Sequence, residues 1–396
     1  MLRFLTAGES HGPSLTVIVE GLPAGLAITA EQIGDQLARR RLGYGRGPRM
    51  RFERDELRLI GGIRHGRTLG SPVAIEVLNS EWPKWEQEMS AAPGTPSDKL
   101  TKPRPGHADL AGMQKYAFDD ARDVLERASA RETAARVVAG SLARALLTGI
   151  GVDVLSHVVR IGTVATPTGV RPVVGEQDVV DESEVRCFDA TAAAAMILEI
   201  KAAAKEGDSL GGIVEVIAYG VPVGLGSYVH WDRKLDGLLA GALMSIQAVK
   251  AVEIGDGMVQ ASQRGSVAHD AIAVDQTFER GGGYVRRSDH AGGLEGGMSS
   301  GAPIIAKAAM KPLATLNRPV LETVDVATGE STVSFKERTD VTAVPALGVV
   351  AEAMMALVLA NEALRKFGGD SLEEFARNHA SYVANLGSTS SAARAT

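Results

Sequence analysis

The sequence GESHGPSLTVIVEGLPAGL (8–26) recurs as GDSLGGIVEVIAYGVPVGL (207–225), at an offset of 199 residues and without a gap. Nine of the nineteen positions are identical, and four of the shared residues are glycines. Shared glycines indicate shared backbone turns, because glycine adopts conformations that other residues avoid. His11 in the first copy is Leu210 in the second. A scaffold does not need a histidine at that position, so His11 is a candidate functional residue.

Two further blocks repeat in the same order along the chain. GGIRHGRTLGSP (61–72) matches GGLEGGMSSGAP (292–303) at an offset of 231, with five identities in twelve positions. Arg104 and Arg338 lie 234 residues apart, and each precedes an apolar run with helical spacing. Three blocks in one order indicate an internal duplication, with chance similarity between glycine-rich turns as the alternative.

The repeat bears on how the chain is divided into domains. The two related halves cover roughly 1–150 and 190–366. A chain of 396 residues could hold two or three average domains, but related halves often pack into one. We therefore predict a single domain over 1–386, followed by a small, polar and disordered tail over 387–396. Since only the first half has a histidine in its turn, we expect one active site per chain, with Leu210 in the core.

Local patterns predict strands where apolar residues alternate or run together, and helices where they recur at helical spacing. The predicted strands cover 1–7, 14–20, 52–62, 71–79, 211–220 and 302–312. The predicted helices cover 30–41 capped by Thr29, 120–148, 190–206 capped by Asp189, 232–252, 346–366 and a last helix capped by Asp370. The spacers are uneven and show no regular βαβ period. The sequence therefore predicts an α/β protein of the α+β kind, a layered sandwich of mainly antiparallel sheets packed with helices.

Composition and charge narrow the class of protein. Cys187 is the one cysteine, so an internal disulfide is excluded and a reducing cytoplasm is expected. No signal peptide is recognised at the start of the chain. The most apolar stretch, 343–364, includes Glu352 and Glu362, which favours a buried helix over a membrane span. For that reason we expect no membrane partner, and because the net charge is −6 we expect no nucleic acid as a partner.

Seven arginines and no lysine lie between residues 39 and 54, in a chain that is negatively charged overall. They are Arg39, Arg40, Arg41, Arg46, Arg49, Arg51 and Arg54. A guanidinium group binds a carboxylate or phosphate through two hydrogen bonds, which lysine does not do. A solvated helix end is the alternative for the first three, and RNA binding is another, although only Tyr44 offers an aromatic ring. The cluster favours a small polyanion as the ligand.

A second histidine follows a fixed turn in RPGHAD (104–109), where His107 lies between Arg104 and Asp109. Histidine titrates near neutral pH, with an unperturbed pKa of about 6.5, so it suits proton transfer. His107 and His11 each lie in a glycine-flanked turn beside charged groups, which favours acid–base catalysis. Neither shows the spacing of a metal-ligand pair, so no metal site is predicted.

The segment ERASARETAARV (126–137) adds two more arginines. Arg127 and Arg131 are four residues apart, so on a continuous helix they share a face. Two like charges on one face favour an anion between them. A surface network with Glu126 and Glu132 is the alternative.

Two loops are candidates for ligand contact. SDHAGGLEGGMSSG (288–301) offers backbone amides to a phosphate, but it lacks the Rossmann and P-loop patterns and is a weak signal. The long loop 80–107, which includes Trp82 and Trp85, is expected to be a lid or an assembly contact.

Taken together, these motifs resemble the chorismate synthase family. GESHG, RRRLGYGRG, RPGHAD, ERASARETA, GGLEGG, AAMKP and RTDVTAVPA occur in that family's order, and the resemblance runs from residue 3 to about residue 386. It implies a layered sandwich of sheets and helices, assembled as a homotetramer. It also implies the 1,4-anti elimination of phosphate from 5-enolpyruvylshikimate 3-phosphate to give chorismate, with reduced FMN and no net redox change. A flavin- or phosphate-binding protein without turnover is the alternative.

The resemblance assigns roles to residues at matching positions. His11 would protonate the leaving phosphate, His107 would lie beside the reduced flavin, and Asp340 would assist proton movement at flavin N5. The substrate would be bound by Arg40, Arg46, Arg49, Arg131 and Arg338. FMN would be bound by Arg127, Ala128, Ser129, Gln247, Ala248, Gly296, Lys311, Pro312, Leu313, Ala314, Thr315 and Arg338. NADPH would enter only indirectly, through an external flavin reductase, because no added reductase domain is recognised.

One loop departs from the family's pattern. Ser288 and Asp289 precede HAGG, where family members often have Thr-Asn or Ser-Asn. An acidic side chain that faces a polyanion is unfavourable. We therefore expect Asp289 to point away from the ligand or to pair with Arg286 or Arg287.

Overall fold

The computed structural model describes residues 1–46, 55–334 and 340–386. Arg49, Arg51, Arg54, Arg338 and the predicted tail lie outside the described residues. The strands are β1 (Arg3–Ala7), β2 (Ser14–Glu20), β3 (Leu57–Gly61), β4 (Ile63–Arg64), β5 (Arg67–Thr68), β6 (Val73–Leu78), β7 (Asp153–Ile161), β8 (Val164–Ala165), β9 (Gly212–Tyr219), β10 (Val249–Ile254), β11 (Ile272–Val274), β12 (Tyr284–Arg286), β13 (Leu294–Glu295), β14 (Met298–Ser299), β15 (Ile304–Met310), β16 (Glu322–Val324) and β17 (Ser331–Val333). The helices are α1 (Ala30–Arg41), α2 (Trp82–Trp85), α3 (Asp109–Tyr116), α4 (Arg122–Ala128), α5 (Thr133–Thr148), α6 (Gln177–Glu182), α7 (Ala190–Glu206), α8 (Leu235–Met244), α9 (Gly257–Gln260), α10 (Gly265–Ala268), α11 (Val344–Phe367) and α12 (Leu372–Asn385).

Two antiparallel sheets form the outer layers of the molecule. The first has the strand order β1-β2-β6-β3, and the second has the order β10-β15-β9-β7-β8. Helix α5 packs on the first sheet, α11 packs on the second, and the two helices pack on each other, with α1 and α8 beside them. The apolar faces of both sheets are thereby buried against helices. The predicted α/β sandwich of antiparallel sheets and helices is confirmed.

The two sheets repeat each other in detail. From one edge, the order β3-β6-β2-β1 corresponds to β10-β15-β9-β7, so the matched strands occupy equivalent places. Thr68 Oγ1 accepts a hydrogen bond from the Leu26 N–H at 3.0 Å and donates one to the Pro23 carbonyl at 2.6 Å. Ser299 lies 231 residues later and makes the equivalent bonds: it accepts one from the Leu225 N–H at 2.8 Å and donates one to the Pro222 carbonyl at 2.6 Å. These two partners lie 199 positions after Leu26 and Pro23. These repeats support the internal duplication, which remains a hypothesis about the origin of the chain.

Two predicted helices are shorter than expected. The helix predicted over 120–148 breaks at Ser129, whose backbone is extended and whose side chain accepts a hydrogen bond from the Arg131 N–H. A 3₁₀ turn over Ala130–Glu132 then leads into α5. Serine side chains compete in this way with helical hydrogen bonds. The helix predicted over 232–252 is confined to α8, because the residues of β10 pair with β15 instead.

The predicted helix caps are largely correct. Thr29 caps α1 in a capping box, and Asp189 caps α7. The N-cap of α12 is Ser371, one residue after the predicted Asp370, because the Ser371 hydroxyl reaches the first-turn backbone. Leu210 belongs to the second copy of the repeated turn and was predicted to lie in the core. It is partly buried and packs against the core.

Helix α11 runs through the centre of the core. It is 24 residues long and apolar enough to cross a membrane by length and composition, with a mean hydropathy of 1.8. However, 89% of its most apolar window is buried inside the protein, between the second sheet and the neighbouring helices. The prediction of a buried helix for this stretch is confirmed.

Glu352 of α11 is surrounded by arginines from three other parts of the fold. Its buried carboxylate accepts hydrogen bonds from Arg39 at 2.7 and 3.0 Å, from Arg144 at 2.6 Å and from Arg186 at 3.2 Å. Ser156 of β7 donates another at 2.6 Å. Burial alone would raise the pKa of Glu352, but the guanidinium groups outweigh burial and lower the pKa to about 2. The network joins α1, α5 and β7 to the central helix.

Replacement of Glu352 by glutamine tests this network. We expect Glu352→Gln to lower the free energy of unfolding by about 3–5 kcal/mol, because buried guanidinium groups lose their counter-charge. Glu20→Gln is the matched control, since Glu20 pairs with Arg3 on the exposed surface at 3.4 Å. Its expected cost is below about 1 kcal/mol. Urea unfolding at one protein concentration measures both variants.

The difference between wild type and Glu352→Gln is also expected to depend on pH. The folded-state pKa of Glu352 is lowered from 4.5 to about 2, so its stabilisation is fully present above pH 4.5 and is lost as the pH falls towards 2. The difference in unfolding free energy should therefore be constant from pH 7 to 5 and shrink below that. An equal difference at pH 7 and pH 3 would contradict the assignment.

The contact between α5 and α11 generates a second prediction. A Cβ atom added to Gly140 would overlap the side chain and backbone of Ala353. Alanine favours a helix over glycine by about 1 kcal/mol, yet we expect Gly140→Ala to destabilise the protein by about 1–3 kcal/mol because the helices must separate. Gly241→Ala in α8 is the control, since nothing lies within 4 Å of the added atom. Thermal unfolding that shows stabilisation in both variants would disprove the close contact.

Candidate active site

A cavity of about 270 Å³ lies where the first turns of α5 and α11 meet the end of α1. Its polar lining residues are Ser10, Arg40, Arg46, Ser129, Arg131, Thr133, Gln247 and Asp340. Its apolar lining residues are Ala130, Ile246, Met310, Leu313, Ala343, Ala346, Leu347 and Val350. The predicted site residues that meet here are Arg40, Arg46, Ser129, Arg131, Gln247, Leu313 and Asp340. They come from both halves of the sequence.

Two of the cavity arginines are buried and held by neighbours. Arg40 is 5% exposed and donates hydrogen bonds to Thr133 Oγ1 at 3.0 Å and to the Ala130 carbonyl at 3.1 Å. Arg131 forms an ion pair with Asp55, and both side chains are almost fully buried. Their positions are therefore fixed by the fold. A solvated basic helix end does not describe Arg40.

The remaining described arginines of the predicted cluster have different surroundings. Arg46 lies in the cavity wall, with its Nε atom 3.0 Å from a carboxylate oxygen of Asp340, so this pair joins the two halves of the sequence. Arg39 points the other way, to the buried Glu352. Arg41 lies beside Asp55, with 3.9 Å between the nearest charged atoms. Of these three, only Arg46 lines the cavity.

The turn that contains His11 is fixed from two sides. The buried Asn79 side chain donates hydrogen bonds to the carbonyls of Ser10 at 2.8 Å and Gly12 at 3.0 Å. On the other side, the Glu126 carboxylate oxygens lie 2.9 and 3.0 Å from His11 Nδ1, and one also accepts the His11 backbone N–H at 2.9 Å. Ser10 lines the cavity, whereas His11 is not one of its lining residues and has its ring against Glu126 and Trp85.

His107 is oriented by a buried carboxylate. Its Nδ1 atom is hydrogen-bonded to Asp109, which is fully buried and also accepts a bond from Arg104 Nε at 2.8 Å. Burial alone would raise the pKa of Asp109, but the hydrogen bonds from His107 and Arg104 outweigh burial and hold the pKa well below its usual range. Asp109 is therefore a carboxylate at neutral pH and accepts the proton on Nδ1.

The predicted FMN-binding run Lys311–Thr315 connects the His107 turn to the cavity. The Lys311 side chain donates to the Gly106 carbonyl, and the Lys311 backbone N–H donates to the Ala248 carbonyl at 3.0 Å. Leu313 lies in the cavity wall. The run therefore brings the turn near Gly106, the segment at Ala248 and the cavity into one neighbourhood.

Arg127 does not share a helical face with Arg131, which corrects the prediction for these two residues. The chain is extended at Ser129, so the spacing of four residues no longer places both side chains on one side. Arg127 instead donates to the carbonyls of Gly8 at 3.0 Å and Thr6 at 2.9 Å. These bonds hold the end of β1, just before the His11 turn, against Arg127. Ala128, the next residue, is the last residue of α4.

The buried Glu132 holds the side chain of Gln247, which lines the cavity. Glu132 accepts hydrogen bonds from Thr6 Oγ1 at 2.8 Å, Arg136 Nε at 2.8 Å and Gln247 Nε2 at 3.0 Å. Burial alone would raise the pKa of Glu132, but Arg136 and these hydrogen bonds outweigh burial and lower the pKa. Among the described residues, Gln247 Oε1 is a buried acceptor with no hydrogen-bond partner. A ligand N–H group would satisfy it.

Gly296 is placed away from the other predicted flavin residues. It lies in the turn between β13 and β14, and the next residue, Gly297, accepts a hydrogen bond from the first residue of α8. Gln247 follows the opposite end of that helix. Ten residues of α-helix span about 15 Å, so Gly296 lies outside this cavity.

The structure corrects the expected partner of Asp289. Asp289 pairs with Arg171 at 3.4 Å, which lies 118 residues earlier in the sequence. Arg286 is engaged by Glu295, with a nitrogen–oxygen distance of 2.6 Å. Asp289 is therefore balanced by a cation, but by one that local spacing did not indicate.

Several residues that organise the site are not indicated by the sequence. Glu126 and Glu132 are buried, whereas the sequence allows a surface network for them. Asp55 is the partner of Arg131 but has no motif of its own. The ring of Trp85, in the predicted loop 80–107, stacks on His11 with 4.1 Å between ring centroids. Motifs in the sequence identify the arginines and histidines as candidate site residues. How deeply their acidic partners are buried depends on the fold and cannot be read from the motifs.

A sandwich of sheets and helices, with a cavity lined by arginines, an amide and an acidic residue and with two histidine turns nearby, is typical of an enzyme that acts on a small molecule. A sequence model of the chorismate synthase family matches residues 2–364. A chorismate synthase of Salinispora tropica is 59% identical over 392 residues, covering 97% of this chain and 98% of that protein. One of Thermobifida fusca is 58% identical over 398 residues, covering 98% and 99%.

A solved structure is also similar over nearly the whole chain. The crystal structure of a chorismate synthase matches with a TM-score of 0.79 and 38% sequence identity, covering 98% of each chain. The chain belongs to the chorismate synthase family. Its activity is that of a lyase in the shikimate pathway, which serves aromatic amino-acid biosynthesis.

Proposed function

We propose that the protein converts 5-enolpyruvylshikimate 3-phosphate into chorismate and phosphate by a 1,4-anti elimination that requires reduced FMN. The proposal rests on one observation: Arg40, Arg46 and Arg131 line the same cavity as Asp340 and Gln247. The substrate bears a phosphate and carboxylates, and arginine is the side chain that binds both kinds of anion through paired hydrogen bonds. Family membership supports the same reaction.

The arginines act by holding the substrate in one orientation. Because Arg40 is fixed by Thr133 and Ala130, and Arg131 by Asp55, little side-chain freedom is lost when an anion binds. Arg49 and Arg338 remain candidate substrate-binding residues that lie outside the described residues. Arg338 also remains a candidate flavin contact.

The cavity has features that suit the flavin. Leu313 and the other apolar lining side chains offer a surface for an aromatic ring, and Gln247 Oε1 is a buried acceptor for a ring N–H. We assign FMN to Ser129, Gln247 and Leu313 and to their neighbours in the sequence, and not to Gly296, which lies outside this cavity. Reduced FMN, when bound, supplies an electron-rich ring that assists phosphate loss and takes up the departing hydrogen.

We assign proton transfer to three residues in or near the cavity. His11 donates a proton to the departing phosphate, since its turn borders the cavity and its Nδ1 atom is already engaged by Glu126. His107, held by Asp109, lies on the side of the Lys311–Thr315 run. Asp340, paired with Arg46, is a carboxylate in the cavity wall that accepts or passes on a proton.

We further propose that the protein is a cytoplasmic homotetramer that receives reduced FMN from an external reductase driven by NADPH. The outer face of the first sheet supports subunit contact, because it exposes Leu5 (68%), Ile18 (41%) and Ile60 (56%).

The direct test is an anaerobic assay of phosphate release. We expect purified protein to release phosphate and form chorismate from 5-enolpyruvylshikimate 3-phosphate when FMN is reduced with dithionite. We expect no product when FMN is left oxidised. Flavin binding without phosphate release under strictly reducing conditions would favour a binding protein without turnover.

The role of His11 is tested with a matched pair of histidine variants. We expect His11→Asn to lower kcat by about 10²–10⁴-fold, because the phosphate loses its proton donor. FMN binding should be retained. His230→Asn is the control, since the His230 side chain is exposed and its ring bonds to Asp232, which is also exposed. Equal kcat values for the two variants would remove His11 from the mechanism.

A further inference from the structure

The His11 ring is held along one edge and covered on one face. Glu126 approaches Nδ1 with both carboxylate oxygens, at 2.9 and 3.0 Å, and its side chain is only 2% exposed. The Trp85 indole stacks on the imidazole, with ring planes 28° apart and centroids 4.1 Å apart. The His11 side chain is consequently 13% exposed. The two contacts come from different parts of the chain, α4 and α2.

This geometry fixes the tautomer of His11. An ionised carboxylate only accepts hydrogen bonds, so Nδ1 must have a proton. The proton that is exchanged is then the one on Nε2. When the ring gives that proton to a phosphate oxygen, the N–H bonding pair stays on Nε2, and the Nδ1 proton remains against Glu126.

We propose that Glu126 is a positioning residue that holds His11 in this tautomer and places a negative charge against its ring, with Trp85 closing one face of the ring. The inference rests on the proposed function, in which His11 is the proton donor to the departing phosphate. A proton donor must have its proton before the reaction starts, and a carboxylate against Nδ1 stabilises the imidazolium form.

The charges around His11 are consistent with an ionised Glu126. Burial alone would raise the pKa of Glu126, but its hydrogen bond and attraction to His11, with the charge of Arg122, outweigh burial and lower the pKa. Arg122 donates to Glu126 at 3.1 Å, lies 5.0 Å from the Trp85 ring, and has Glu88 at 3.7 Å. The charged groups that face the ring and its partner are thus Glu126 and Arg122 from α4, Glu88 from the loop 80–107, and Glu9 from the turn itself.

Trp85 offers a direct readout of the charge on His11. A protonated imidazole stacked on an indole quenches its fluorescence, so emission should follow the protonation of His11. The other tryptophans are Trp82 and Trp231, and neither is part of the proposed site. A background of Trp82→Phe and Trp231→Phe therefore isolates the signal of Trp85.

The test is a pH titration of Trp85 fluorescence in the full-length protein with this background. We expect one titration step that is absent in His11→Asn. We expect Glu126→Gln, which preserves size, to move the midpoint to lower pH by about one unit or more, because an opposite charge is removed from the ring. Arg122→Met should move the midpoint to higher pH, because a like charge is removed.

The same shifts should appear in the kinetics. We expect the pH at which kcat falls to move with the fluorescence midpoint in Glu126→Gln, while KM changes little. A merely structural role for Glu126 would lower activity at every pH without moving either midpoint. An unmoved midpoint in both Glu126→Gln and Arg122→Met would overturn the inference. If Glu126→Gln does not fold, the midpoint of Arg122→Met alone decides.

The outcomes separate this inference from the proposed function. The fluorescence titration requires neither substrate nor flavin. Shifted midpoints in a protein that releases no phosphate would support the Glu126–His11 coupling and refute the lyase assignment. Normal phosphate release with unmoved midpoints would refute the coupling alone.

Discussion

The buried charge network at Glu352 is the constraint on which the site depends. It fastens the end of α1, because Arg39 reaches into the core to this carboxylate. The next residue, Arg40, then faces the first turn of α5 and becomes part of the cavity wall. Arg144 places α5 against the same carboxylate from the other side. A purely apolar core could pack these helices, but it would not fix the direction of consecutive arginines.

The two copies of the repeated turn serve the cavity in different ways. The first copy contributes Ser10 to the cavity lining, and His11 follows it in the same turn. In the second copy, Ser209 donates to the carbonyl of Leu313 at 2.8 Å, and the Leu210 N–H donates to the Val341 carbonyl at 2.7 Å. The second turn therefore supports the segments that bring Leu313 and Asp340 into the cavity wall. In the proposed mechanism, the first copy provides the proton donor and the second copy has only a structural role.

The antiparallel sheets and the buried position of α11 could be predicted from the sequence, because these depend on local periodicity and residue type. The sequence did not predict the break at Ser129, since the surrounding Ala, Arg and Glu residues favour a helix and a side-chain hydrogen bond decides otherwise. It also missed the partners of Arg131 and Asp289, which lie 76 and 118 residues away. Spacing along the chain has no information about contacts of that range.

A crystal structure with FMN and 5-enolpyruvylshikimate 3-phosphate bound would show whether the cavity is the active site. We expect one flavin and one substrate per chain, with the flavin ring near Gln247 and Leu313. We expect the substrate phosphate within hydrogen-bond distance of His11 and of a cavity arginine. Ligands bound beside Leu210, or a phosphate remote from both His11 and Arg40, would contradict these assignments.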